Sequence, residues 1–202
     1  MSFYTLGSKN YPGFIFIGPP KTGTNSIRRW TESLYGIDSV EHESDSHYPA
    51  DHSFFNDLNL PYIGIIRNPY DRMVSAFTHT YKLHHQDNLK EYFPPLSREG
   101  FEEFVTRVYD HDVKEKEVSI RKPMMDYFKK DNELINFELL IRLENIESDW
   151  KLLQQFCQTT QPGIHVNRSI LQLHKREIYT PKAKLLVEEM WGEDIWHFRY
   201  SF

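Results

Sequence analysis

The stretch GFIFIGPPKTGTNSIRRW, residues 13–30, does more than any other to limit the folds open to this chain. Residues 13–18 form a short apolar run bounded by glycines, which predicts a buried strand. Past the loop, Ile27, Trp30 and Leu34 recur at spacings of three and four, so an amphipathic helix is expected, stopped by Gly36. A turn of small residues between a strand and a helix aims several backbone N–H groups at one point, and the positive end of the helix dipole adds to them. Such a junction selects an anion.

The loop comes close to a Walker phosphate loop and departs from it at the lysine. Gly18 and Gly23 keep the spacing of G-x-x-x-x-G-K-[ST], but Thr24 and Asn25 stand where the lysine and its hydroxyl belong, and Lys21 lies inside the loop. A Walker lysine reaches the β- and γ-phosphates while the hydroxyl after it binds Mg²⁺. Thr22 precedes the second glycine and cannot take that hydroxyl's role. A donor handled without a metal ion is expected instead.

A second unit of the same kind follows at PYIGIIRNP, residues 61–69, where an apolar run ends on Arg67 and the proline holds Asn68 extended. A helix is expected from about Tyr70, with Met73, Val74 and Phe77 on one side. Residues 137–146, FELLIRLENI, predict a third strand, followed by a helix with Ile146, Trp150, Leu153 and Cys157 in register. Phe101, Phe104, Val105 and Val108 mark another helix, and Thr180-Pro181 reads as N-cap and first helical residue of a last one ending at Gly192. Strands separated by helices imply an α/β protein with a central parallel sheet, its ligands at the carboxyl ends of the strands.

The chain of 202 residues suits one domain, residues 1–202, and 15% aromatic residues argue against disorder. A net charge of −5 argues against holding nucleic acid by bulk electrostatics. The basic run RKPMMDYFKK, residues 121–130, reads as a solvated face or as a surface toward an anion. One cysteine, Cys157, excludes an intrachain disulfide and reads as a small core residue. The first residues lack a signal peptide's pattern, and no apolar run approaches the roughly 20 residues of a membrane span, so a cytoplasmic enzyme of bacterial or viral type is expected.

PPKTGTNS resembles the 5′-phosphosulfate loop of sulfotransferases that use 3′-phosphoadenosine 5′-phosphosulfate (PAPS), written P-K-x-G-T-[ST]-[SW]. RNPYDRMVSAF resembles their 3′-phosphate motif, R-[ND]-P-x-x-R-x-x-S-x-[FY]. LLIRLENIESDW, HVNRS, YTPKAKLLVEEMW and DIWHFRYSF are similar, more loosely, to the carbohydrate branch of that family. The resemblance implies a three-layer, P-loop-like fold in which Lys21, Thr22, Gly23, Thr24, Asn25 and Ser26 hold the 5′ end of PAPS, while Arg67 and Ser75 hold its 3′-phosphate. Asn25 replaces the family's Thr or Ser with an amide donor, and Arg72 reads either as a ligand contact or as a surface residue one turn into its helix. The implied reaction moves a sulfuryl group from PAPS to an acceptor hydroxyl on a carbohydrate and releases PAP.

Such a transfer needs a cation at the departing phosphate, for which Lys21 is the candidate, and a base for the hydroxyl proton. In relatives the base is a histidine or glutamate from the interval between the two motifs. His47 resembles the histidine of the uronosyl 2-O branch and ranks first, His52 second and Glu43 third. Glu144 reads as a partner for Arg142 or as a group that orients a ligand. Three other readings stay open: a nucleotide kinase or NTPase with an altered loop, a noncatalytic anion- or glycan-binding module, and a metal-dependent hydrolase using His42, His47, Asp51 and His52.

Overall fold

The computed structural model describes residues 1–42, 47–86, 94–111, 119–164 and 176–202. The chain divides into two compact units, Met1–Arg67 with Met124–Arg168, and Asn68–Pro123 with Ser169–Phe202.

The first unit is built on β1 (Phe3–Thr5), β2 (Phe14–Ile17), β3 (Tyr62–Ile66) and β6 (Phe137–Arg142), hydrogen-bonded in that order. A hairpin of β4 (Lys129–Lys130) and β5 (Glu133–Leu134) stands apart from that sheet. β2 and β3 run parallel with Ile15 opposite Tyr62, and β3 and β6 run parallel with Ile66 opposite Arg142. Every residue of β2 is buried, which is why the run is apolar throughout rather than alternating. Helices α1 (Thr24–Tyr35) and α4 (Ile146–Phe156) flank the sheet, and Ile27, Trp30, Trp150 and Leu153 join Phe14, Phe16, Ile63 and Ile141 in one core. Trp30 and Trp150 meet edge to face at 5.6 Å. Gly36 ends α1 at φ 91, as expected.

The architecture is the expected one, a mostly parallel α/β sheet flanked by helices, with two differences of detail. β1 adds an antiparallel edge, Phe3 opposite Phe16, that three residues are too short to announce. The third strand ends at Arg142 rather than Ile146, because the Asp149 carboxylate takes the Arg142 N–H at 2.7 Å and a 3-10 turn, Leu143–Asn145, follows. Cys157 is a buried core residue, its Sγ accepting from the Tyr35 hydroxyl at 3.5 Å. The basic run is no uniform solvated face: Met124, Met125, Tyr127 and Phe128 within it are buried.

The second unit packs α2 (Pro69–Gln86), α3 (Arg98–Tyr109) and α5 (Pro181–His197) around Met73, Val74, Phe77, Phe101, Phe104, Val105, Val108, Val187 and Trp191. Thr180 caps α5 as anticipated, accepting the Ala183 N–H at 3.1 Å. Gly192 does not end that helix, which kinks at Trp191 (φ −127) and continues to His197. At this kink the Trp191 indole donates to the Arg121 carbonyl at 2.7 Å.

Candidate active site

Residues 18–23 leave the end of β2 and deliver the chain to α1. Lys21 (φ 67) and Gly23 (φ 91) both adopt the left-handed region, and the Thr22 hydroxyl donates to the Pro19 carbonyl at 2.8 Å. Lys21 pays about 1 kcal/mol for that conformation, and changes of backbone hand of this type turn successive amides toward one side. Gly23 is the N-cap of α1 and offers no side-chain oxygen, and the first turn holds no acid. The positive end of α1 is thus left to a ligand that brings its own negative charge.

Around this loop Thr22, Thr24 and Ser26 are buried and Asn25 is exposed. Arg67, half-buried at the end of β3, donates from Nη1 to the Lys21 carbonyl at 2.9 Å. The Arg67 guanidinium is therefore tied to the backbone of the loop that carries Lys21, past the carboxyl ends of two adjacent parallel strands.

His47 lies against the loop's first residue, its Nδ1 2.5 Å from the Gly18 carbonyl oxygen. The Met1 nitrogen contacts Nδ1 and lies 2.9 Å from Nε2, and it also reaches the Gly18 carbonyl at 3.2 Å and Thr24 Oγ1 at 3.4 Å. Ser2, 1% exposed, donates to the Tyr48 carbonyl at 2.8 Å and accepts the Gly18 N–H at 3.3 Å.

The other candidates are placed differently. His52 caps a 3-10 turn, its Nδ1 accepting the Phe54 N–H at 3.1 Å, and its ring stacks on Tyr48 at 3.8 Å. Glu43 lies outside the described residues. His42 Nε2 is 3.9 Å from Glu32, which also pairs with Arg28 at 2.6 Å. Among the described residues no group of three or more His, Cys, Asp or Glu side chains could hold a metal ion, which removes the geometric basis of the hydrolase reading for His42, His47, Asp51 and His52. Glu144 is exposed on its turn.

In the second unit, Ser75 is half-buried on α2, where its carbonyl accepts from the Thr78 hydroxyl at 3.2 Å. Arg72 is not a surface residue: it is fully buried, with its guanidinium 4.5 Å from the Trp191 ring centroid and Nη2 donating to the Lys122 carbonyl at 3.0 Å. Asn68 caps α2, with Oδ1 accepting the Tyr70 N–H and Nδ2 donating to the Ser201 carbonyl, both at 3.0 Å. Sequence reasoning passed over this cap although Asn-Pro before a helix is its usual signature. It also passed over Ser2, which has no local signature at all.

Comparison with known proteins adds the family. No curated protein matches the chain. No helix among the described residues is long and apolar enough to cross a membrane. A model of the sulfotransferase family matches residues 8–201, a span that takes in the loop of Lys21, the His47 segment and Arg67 with the helix behind it. The chain belongs to the sulfotransferase family and, with it, to the transferases that move sulfuryl groups.

Proposed function

We propose that residues 1–202 act as one sulfotransferase domain, transferring the sulfuryl group of PAPS to a hydroxyl of a carbohydrate and releasing PAP. The observation that supports this reading is the 2.9 Å bond from Arg67 to the backbone carbonyl of Lys21, which puts the arginine of the second motif beside the loop of the first; PAPS, anionic at both ends of its ribose, needs both motifs within one ligand's length. Arg67, with Ser75 from the same motif, takes the 3′-phosphate, for which a planar guanidinium fork is suited. Lys21 and the first amides of α1 take the 5′-phosphosulfate, with Gly23, Thr24, Asn25 and Ser26. Thr22 contributes its backbone, since its hydroxyl is committed to Pro19. The carbohydrate acceptor is supported by the similarity of residues 139–150 and 179–191 to the carbohydrate branch.

In the transfer, the acceptor oxygen forms a bond to sulfur as the bond from sulfur to the bridging phosphate oxygen breaks. The electron pair leaves on PAP, where Lys21 and the helix amides stabilise the new charge. The hydroxyl proton passes to the imidazole of His47, the base that the resemblance ranks first. Holding both reactants in line supplies the remainder, as in phosphoryl transfer.

Two measurements test the reading. PAP at 100 times its Kd is expected to stabilise the protein by about 2.7 kcal/mol, seen as a rise in Tm, while ATP with Mg²⁺ leaves Tm unchanged. The reverse pattern would favour a kinase or NTPase. With radiolabelled PAPS and a panel of glycans, then small alcohols and phenols, label is expected on a glycan; PAP binding without transfer to any acceptor would mark a binding module. His47→Ala is expected to lower turnover by roughly 10²- to 10⁴-fold with PAP affinity unchanged, and a rate like that of the unaltered protein would move the base to His52 or Glu43.

A further inference from the structure

We infer that Ser2 is a positioning residue, whose hydroxyl clamps the segment carrying His47 to the first residue of the anion loop. The family match begins at residue 8, so Ser2 lies outside it. β1 pairs with β2 from Phe3 opposite Phe16 onward, and this register carries Ser2 alongside the end of β2, where Gly18 begins the loop. There the hydroxyl is 1% exposed and uses both of its capacities: it accepts the Gly18 N–H at 3.3 Å and donates to the Tyr48 carbonyl at 2.8 Å.

The consequence concerns His47, which is joined to Tyr48 and whose Nδ1 lies 2.5 Å from the carbonyl oxygen of the same Gly18. Gly18 is gripped on its N–H side by Ser2 and on its carbonyl side by His47, and Ser2 closes the ring through the Tyr48 carbonyl. A single hydroxyl thus fixes the distance between the loop and the imidazole. Small displacements of a catalytic group cost large factors in rate, so a clamp of this kind acts on turnover more than on donor binding.

The inference rests on His47 as the base, and the test separates the two. In the full-length protein, Ser2→Ala, the near-isosteric Ser2→Cys with its weak hydrogen bonding, and Ser2→Thr, which keeps the hydroxyl, are compared with His47→Ala. The first readout needs no acceptor: nitrogen-15 spectra of the His47 ring with PAP bound. A single tautomer of the His47 ring is expected in the unaltered protein and in Ser2→Thr, and a mixture of tautomers in Ser2→Ala and Ser2→Cys. The second readout is radiolabelled transfer to an acceptor from the glycan panel, where Ser2→Ala and Ser2→Cys should lose about tenfold or more in kcat with the KM for PAPS within about twofold, and Ser2→Thr should restore it. An unchanged tautomer and kcat in Ser2→Ala, or a loss of PAP affinity in parallel with kcat, would overturn the clamp. Undiminished turnover in His47→Ala would instead overturn the base, and the tautomer spectra would still judge the clamp.

Discussion

Arg67 has two tasks under the proposed function, since the guanidinium assigned there to a phosphate also braces the carbonyl of Lys21 in its left-handed turn. Arg67→Ala is therefore expected to weaken PAP binding roughly 10- to 100-fold, the size of a lost charge-assisted bond. Lys21→Ala is expected to leave more of that affinity and to lower kcat further, by about 10²-fold or more, because its ammonium meets charge that appears only as the phosphate departs. Calorimetric titration with PAP beside steady-state transfer rates distinguishes the two; equal affinities for Arg67→Ala and the unaltered protein would remove Arg67 from the 3′ end. The positions of Lys21 and Arg67 past strand ends were legible because each follows an apolar run that predicts a buried strand. Arg72 was not: whether a long side chain one turn into a helix meets solvent or a tryptophan depends on Trp191, in an element whose packing no local pattern encodes. Ser2 was illegible for a related reason, its bonds reaching 16 and 46 residues along the chain.

At the scale of elements, the start of α2 is fixed by Asn68, which caps the helix and holds the Ser201 carbonyl. Asn68→Ala should cost about 1–2 kcal/mol through the lost cap and the unpaired carbonyl. Asn68→Asp keeps the cap oxygen and loses only the donor to Ser201, so its midpoint in urea should fall between those of the alanine variant and the unaltered protein. Indistinguishable midpoints for all three would show that neither bond matters. Elements with a strong period and a capping residue were legible from sequence, as α1 with Gly36 and α5 with Thr180 illustrate. Ends decided by a distant partner were not: Asp149 shortens β6 by taking the Arg142 amide, and α5 runs past a glycine, with the Trp191 indole on the Arg121 carbonyl at its kink. β1 escaped because three residues carry too little alternation to be told from a loop.

On the scale of the whole molecule, burial holds four weak acids protonated in the folded chain. The Cys157 thiol and the Tyr35 hydroxyl are pushed up in the first unit, Tyr35 first by burial and then by its bond to Cys157. Tyr70 and Tyr179 are pushed up in the second, again chiefly by burial, with the Glu188 carboxylate adding to the effect at Tyr70. A raised folded pKa means that the unfolded chain releases its proton first, so the stabilisation is complete below the ordinary values of 9.0 for the thiol and 10.0 for tyrosine and is lost as pH climbs past them. Unfolding free energy should accordingly hold steady up to about pH 9 and then decline, and the tyrosinate absorbance of the buried rings should grow only together with unfolding; early titration of all tyrosines in the folded protein would refute this. Tyr35 and Cys157 have a further use, because the chain's single thiol lies in the core beneath a hydroxyl. An alkylating reagent pulsed over the native protein can mark it only when that core opens, so the rate of adduct formation at Cys157 becomes a clock for opening of the sheet from which the Lys21 loop springs, readable by mass in a crude extract without purification.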